Sequence, residues 1–124
     1  MNQTPTFVQL TDLHIRQPGR LAYGKVDTSS YLRTTVESVQ ALRQRPEAVI
    51  VTGDLTDFGR IEEYEFLRDL LAPLDMPIYL LPGNHDDRNN LRRVFADHAY
   101  LGTDGPVQYR VQVGPLQVLT LDTS

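Results

Sequence analysis

Three short segments concentrate the side chains able to hold a cation or move a proton: Asp12-Leu13-His14, Gly53-Asp54 and Gly83-Asn84-His85-Asp86. Along an extended strand alternate side chains point to one side, so Asp12 and His14, two apart, are expected to approach one ion together. The Asp54 carboxylate can bridge two cations through separate oxygens, and the Asn84 side-chain carbonyl adds a neutral oxygen. Such a nitrogen and oxygen donor set suits Mn, Fe, Zn or Co. Gly53 and Gly83 permit tight turns and close backbone approach. Each segment alone is weak evidence, because Asp-x-His arises by chance and Gly-Asp after a strand is often a turn or helix cap. Their joint occurrence at the ends of successive strands is what points to a metal site.

The elements that would carry these residues are legible from periodicity. Phe7 to Leu10 is a short β-type run, and Leu32, Val36, Val39 and Leu42 recur at helical spacing after Asp27 or Thr28, either of which can cap. Pro46 stops that helix before Ala48-Val49-Ile50-Val51, a continuous apolar run of the kind a doubly covered parallel strand requires. A second helical pattern (Ile61, Tyr64, Leu67, Leu71) ends at Pro73, and Pro77 to Leu81 reads as a third strand. Leu91, Val94, Phe95 and His98 suggest a third helix. Val107 to Val113 and Leu116 to Leu121 then alternate around Gly114-Pro115 as a β-hairpin. The expected order is β-α-β-α-β-α-β-β, an α/β fold with a parallel sheet and helices on its faces. Ligands of such sheets bind beyond the carboxyl ends of the strands, where all three segments fall. His98, on the apolar stripe of the third helix, is expected to be packed or on the surface rather than a ligand.

With these motifs in place, the chain resembles the calcineurin-like metallophosphoesterases, whose pattern stands here as Asp12-Leu13-His14, Gly53-Asp54-Leu55-Thr56-Asp57-Phe58-Gly59 and Gly83-Asn84-His85-Asp86. The Leu21 to Gly24 segment, Glu63-Tyr64 and Gly83 to Arg88 are similar to the branch of class III cyclic-nucleotide and glycerophosphodiester phosphodiesterases. The resemblance implies the N-terminal half of a four-layer α/β/β/α sandwich. It also implies two divalent metal ions (Fe, Mn, Zn or Co), with Asp12 and His14 on the first, Asp54 bridging and Asn84 on the second. His85 would face the substrate, and Asp57 lies where some relatives keep a carboxylate paired to that histidine. The implied activity is hydrolysis of a small phosphodiester, 3′,5′-cyclic AMP or a glycerophosphodiester, by water activated between the two ions. Phe58 stands where the protein-phosphatase branch has an arginine gripping a phosphate dianion, which favours a diester. The family's three further histidines, one alone and two in a Gly-His-x-His motif, are absent from these residues. The segment 1–124 is therefore expected to be a truncated metallophosphoesterase domain, inactive alone.

Composition bounds the alternatives. The chain has 124 residues, 12 Lys+Arg against 16 Asp+Glu, and no cysteine, so disulfides, thiolate zinc sites and cysteine nucleophiles are excluded. The acidic balance, with basic residues scattered, disfavours duplex nucleic acid as a partner and with it a nuclease reading. A phosphomonoesterase of the same superfamily stays open, as does an inactive truncated metal-binding module that buries its open sheet edge by homo-oligomerisation. No apolar stretch approaches the ~20 residues of a membrane-spanning helix, and with no basic, apolar leader at residues 1–5 the expected compartment is the cytoplasm. Arg16, Tyr23, Lys25 and Arg88 read as exposed charge or polar surface rather than as substrate contacts. Asp86 and Asp87 are expected to orient His85 or cap the third helix, capping falling to Asp87.

Overall fold

The computed structural model describes residues 6–19 and 27–122. Its elements follow the expected order: β1 (Phe7–Thr11), α1 (Thr28–Gln40), β2 (Ala48–Thr52), α2 (Ile61–Leu71), β3 (Ile78–Leu81), α3 (Arg88–Val94), a 3-10 turn (Ala99–Leu101), β4 (Tyr109–Val113) and β5 (Leu116–Thr120). Asp27 caps α1, its carboxylate accepting from the Ser30 amide at 3.2 Å and from the Ser29 and Ser30 hydroxyls at 2.8 and 2.7 Å. Those bonds hold its pKa below the ordinary carboxylate value. Leu32, Val36 and Val39 are buried on one side of α1, whereas Leu42 falls beyond the Ala41 cap and is 49% exposed.

β1, β2 and β3 form one parallel sheet in that order. The register aligns Val8, Val49 and Ile78 in one row and Leu10, Val51 and Leu80 in another. These rows join Leu32, Val36, Tyr64, Leu67 and Leu91 in a single core. Since α1 packs on α2 and α2 on α3, the helices cover this one face. On the other face of β1, Phe7, Gln9 and Thr11 are exposed. β2 is buried on both faces, through Ala48 and Ile50 on this side and Val49 and Val51 on the core side, as its apolar run requires.

β4 and β5 pair antiparallel as a separate two-stranded sheet. On the side of β3 away from β2, hydroxyls replace strand pairing: the Leu80 amide donates to the Tyr100 hydroxyl at 2.9 Å, and the Tyr109 hydroxyl donates to the Leu80 carbonyl at 2.7 Å. Burial pushes both phenols well above their ordinary pKa, so they remain neutral donors. The Tyr100 hydroxyl donates to the Ile78 carbonyl at 3.0 Å, which leaves His98 Nδ1, 2.9 Å away, as a donor to the same oxygen. His98 is packed edge-on against Phe95. It does not lie on a helix, because α3 stops at Val94, whose carbonyl accepts from Arg68 Nη1 at 3.1 Å. Among the described residues no helix is long and apolar enough to cross a membrane.

The same Arg68 guanidinium forks onto Asp97 at 2.7 and 2.8 Å and pulls that carboxyl down to about 2. A folded-state pKa below the unfolded value of 3.8 adds stability above about pH 4 that disappears as pH falls towards 2. Replacing Asp97 by Asn is therefore expected to lower the melting temperature slightly at pH 7. Melts followed by circular dichroism should show the two proteins converging near pH 2, and an offset that persists there would contradict this account.

Candidate metal centre

The chain leaves each strand of the parallel sheet with a sharp bend. Asp12, His14 and Asp54 adopt left-handed backbone with φ of 56°, 47° and 31°, alongside Gly53 at 66°. For residues bearing a Cβ this costs on the order of 1 to 3 kcal/mol each unless the surroundings fix it. Here a continuation of the parallel ladder fixes it. The His14 amide donates to the Asp54 carbonyl at 2.9 Å, Ile15 to Leu55 at 3.1 Å and Asp57 to Ile15 at 3.0 Å. The strand-alternation argument for Asp12 and His14 consequently fails, since β1 ends at Thr11 and both residues lie on bent backbone.

Asp86 joins the loops after β2 and β3. Its Oδ1 accepts from the Thr56 amide (3.0 Å), the Thr56 hydroxyl (2.8 Å) and the Tyr64 hydroxyl (2.9 Å). Its Oδ2 accepts from the amides of Leu55 (2.8 Å) and Gly83 (2.9 Å). Asp86 therefore neither caps α3 nor orients the His85 ring. Asp87 is the cap, accepting from the Asn90 amide at 3.0 Å. Gly83 is required by contact: a Cβ there would overlap the Asp54 amide and lie 2.5 Å from Asp54 Oδ1.

These bends bring His14, Asp54 and His85 together, one ligand atom from each lying within 4.8 Å of the others. The His14 and His85 rings meet edge to face at 5.0 Å. Asp54 Oδ1 accepts from the His85 amide at 2.8 Å, and its Oδ2 stands 3.7 Å from His14 Nε2. His85 Nδ1 lies 2.8 Å from the Asp57 main-chain carbonyl. A carbonyl only accepts, so Nδ1 carries the hydrogen. That bond, followed by the charges of Asp54, Asp57 and Asp86, raises the His85 pKa against the opposing effect of desolvation.

Beneath the three residues, Asp57 is 2% exposed and neither carboxylate oxygen has a hydrogen-bond partner. Its neighbours are His14 Nδ1 at 3.4 Å, His85 Nδ1 at 3.8 Å and Arg16 Nη1 at 3.9 Å. Glu63, fully buried, accepts from the amides of Phe58 (2.9 Å) and Arg60 (3.2 Å) and from Arg16 Nε (3.1 Å). Arg16, expected as exposed charge, is instead largely covered, its side chain 14% exposed and its guanidinium 4.3 Å from the Phe58 ring centroid. Arg88 is likewise committed, donating to Asp122 Oδ2 at 2.6 Å. Tyr23 and Lys25, with the Leu21 to Gly24 segment, lie outside the described residues.

Asp12 is exposed and outside the three-residue group, its Oδ1 3.5 Å from where a Gly53 Cβ would stand. Asn84 is exposed beside His85 and lines a cavity of about 490 Å³ with Arg88, Arg92 and Gly105. The donor set fits a divalent cation. Asp54 Oδ2 and His14 Nε2 face each other beyond hydrogen-bond distance, and behind them the buried Asp57 carboxylate has no hydrogen bond. Buried carboxylate charge in that state calls for a counter-charge.

Glu63, Arg16 and Asp86 are the residues that sequence reasoning did not assign to this architecture. For Glu63 a signal exists, because it stands three residues after Arg60 at capping-box spacing and reaches back to the Arg60 amide. Asp86 stands three after Gly83, and the Gly83 amide bonds back to it. Arg16 carries no local signal.

The family model described as calcineurin-like phosphoesterase matches residues 5–121. A probable glycerophosphodiester phosphodiesterase GpdQ of Arcobacter nitrofigilis is 37% identical over 94% of this chain and 43% of its own length. A cAMP/cGMP dual specificity phosphodiesterase of Mycobacterium tuberculosis is 33% identical over 94% of this chain and 37% of its own. The 3′,5′-cyclic adenosine monophosphate phosphodiesterase CpdA of Pseudomonas aeruginosa is 35% identical over 94% and 41%. The chain thus spans about two fifths of the length of these relatives.

If Asp86 is the cross-link described, Asp86→Ala strands three backbone amides and should destabilise the chain by about 3 to 5 kcal/mol in urea. Asp87→Ala removes one cap and should cost about 1 kcal/mol. Equal losses from the two variants would contradict the assignment.

Proposed function

The chain belongs to the calcineurin-like phosphoesterases, and we propose that it supplies half of a binuclear centre that hydrolyses small phosphodiesters. The observation that carries this reading is the convergence of His14, Asp54 and His85 within 4.8 Å at the carboxyl ends of three parallel strands. In this proposal Asp12 and His14 would hold one divalent ion, Asp54 would serve both and Asn84 would contribute to the second, the ions being Fe, Mn, Zn or Co. When bound, they supply Lewis acidity towards the phosphoryl oxygens and lower the pKa of the attacking water.

The chain's own residues do the rest. The Asp57 carbonyl holds His85 Nδ1–H at 2.8 Å, so Nε2 is the atom available to the phosphate or the departing oxygen. A protonated ring held in this way would deliver its Nε2 proton to a departing alkoxide. Phe58, exposed at 55% and following Asp57, occupies the rim, and the Arg16 beneath it is held by Glu63. That arrangement supports a singly charged diester over a dianionic monoester. Relatives named for glycerophosphodiesters and for cyclic nucleotides support those two classes as substrates.

The natural protein, its intact mass recorded first, is expected to hydrolyse bis(p-nitrophenyl) phosphate in the presence of Mn²⁺ faster than p-nitrophenyl phosphate. Asp54→Asn should lower the diester rate by at least about 100-fold. Turnover unaffected by chelator, or unaffected by that substitution, would overturn the reading. His85→Ala should cost more with an alkyl diester than with a p-nitrophenyl one, because only the alkoxide needs a proton. Equal losses on both substrates would remove His85 from proton delivery.

A further inference from the structure

We infer that the Asp57 carboxylate is a positioning residue for His14: it keeps the imidazole hydrogen on Nδ1 and thereby turns the Nε2 lone pair towards Asp54. The inference rests on the metal-centre reading above and adds to it a residue that acts only through another.

Asp57 is buried, and both its oxygens lack a hydrogen bond. A carboxylate in that state is expensive unless a nearby donor compensates it. Three groups are near enough to do so. Arg16 Nη1 is the farthest at 3.9 Å, and its guanidinium is anchored through Nε on Glu63 at 3.1 Å. His85 Nδ1 is 3.8 Å away, but its hydrogen already serves the Asp57 main-chain carbonyl at 2.8 Å. His14 Nδ1 is the closest at 3.4 Å, and a contraction of roughly 0.5 Å would complete an ordinary N–H···O bond.

With its hydrogen on Nδ1, the neutral His14 ring has a lone pair on Nε2, the nitrogen 3.7 Å from Asp54 Oδ2. Nitrogen and carboxylate oxygen then face each other with no hydrogen between them, an arrangement that attracts a cation rather than a bond. The opposite tautomer would place a hydrogen in that gap and leave Asp57 facing a second lone pair. A carboxylate behind a ligating histidine also raises the ring's basicity and fixes its orientation. One buried residue thus serves two histidines by different groups: its main-chain carbonyl orients His85 and its side-chain carboxylate orients His14.

The full chain contains only three histidines, so two-bond ¹H–¹⁵N spectra of the metal-free protein can report each ring separately. We expect His14 to carry its hydrogen on Nδ1 in the wild type. In Asp57→Ala, His14 should shift towards the Nε2–H form while His85 stays unchanged. Asp57→Asn, which keeps an acceptor, should restore the Nδ1–H form. By calorimetry, Mn²⁺ affinity should fall about 10- to 100-fold in the alanine variant and less in the asparagine one. An unchanged His14 ring in Asp57→Ala, a change confined to His85, or an unchanged Mn²⁺ affinity would each overturn the inference. The His98 ring, bonded to Tyr100, reports whether the fold survives. Should the alanine variant not fold, Asp57→Asn is compared in the wild-type and His14→Gln backgrounds: loss of affinity only in the first supports the inference, and equal loss in both overturns it. If the wild-type chain takes up no Mn²⁺, the metal-centre reading fails, and the ring spectra still decide whether Asp57 fixes His14.

Discussion

Five donors converge on the Asp86 carboxylate, and they come from the loops after β2 and β3 and from the helix behind them. Parallel strands end in backbone amides that have lost their ladder partners, and buried amides without acceptors are costly. A single carboxylate can accept on two oxygens at once, so Asp86 collects the amides of Leu55 and Thr56 after β2 and that of Gly83 after β3. The Tyr64 hydroxyl ties the same carboxylate to α2 and accepts from the Asp87 amide at 2.8 Å, which sets the start of α3. The separation of the β2 and β3 loops, and with it the distance from Asp54 to His85, depends on this one group.

Once the loops are fixed, strain can be stored in them. The left-handed backbone at His14 and Asp54 accompanies the turn of their side chains towards each other at the strand ends, and Asp12 shares that backbone outside the group. The ladder that continues from Ile15 to Thr56 holds the bent segments against each other. Gly83 allows Asp54 to lie against the neighbouring loop at a separation that no Cβ would permit. The geometry of the cluster is therefore a property of three loops acting together and of none alone.

Charge beneath the cluster follows the same logic of shared groups. Glu63 begins α2, satisfies two loop amides and holds Arg16 from the first loop. Arg16 in turn stands 3.9 Å from the otherwise unbonded Asp57. The buried carboxylates of Asp57 and Glu63 distinguish these strand ends from an ordinary solvated polar rim.

The sequence by itself determined the element order, because helical and strand periodicities and the placement of proline are local properties of the chain. It also determined which three segments meet at one edge, since each follows a strand of a parallel sheet. It narrowed the cap of α1 to Asp27 or Thr28 and placed that of α3 at Asp87 for the same local reason. It misjudged the length of α3, because the end of that helix is set by Arg68 reaching from α2 to the Val94 carbonyl. It also misjudged Arg16 and Asp86. The partners of Arg16 are 41 and 47 residues away at Asp57 and Glu63, and those of Asp86 include Leu55 and Thr56 at 31 and 30. Periodicity carries no information across such separations. Only the tertiary structure decided that Asp12 and His14 lie on left-handed backbone, that helices cover one face of the sheet, and that a buried carboxylate stands behind His14. Each of these is the outcome of long-range amides and charges competing for the same few acceptors.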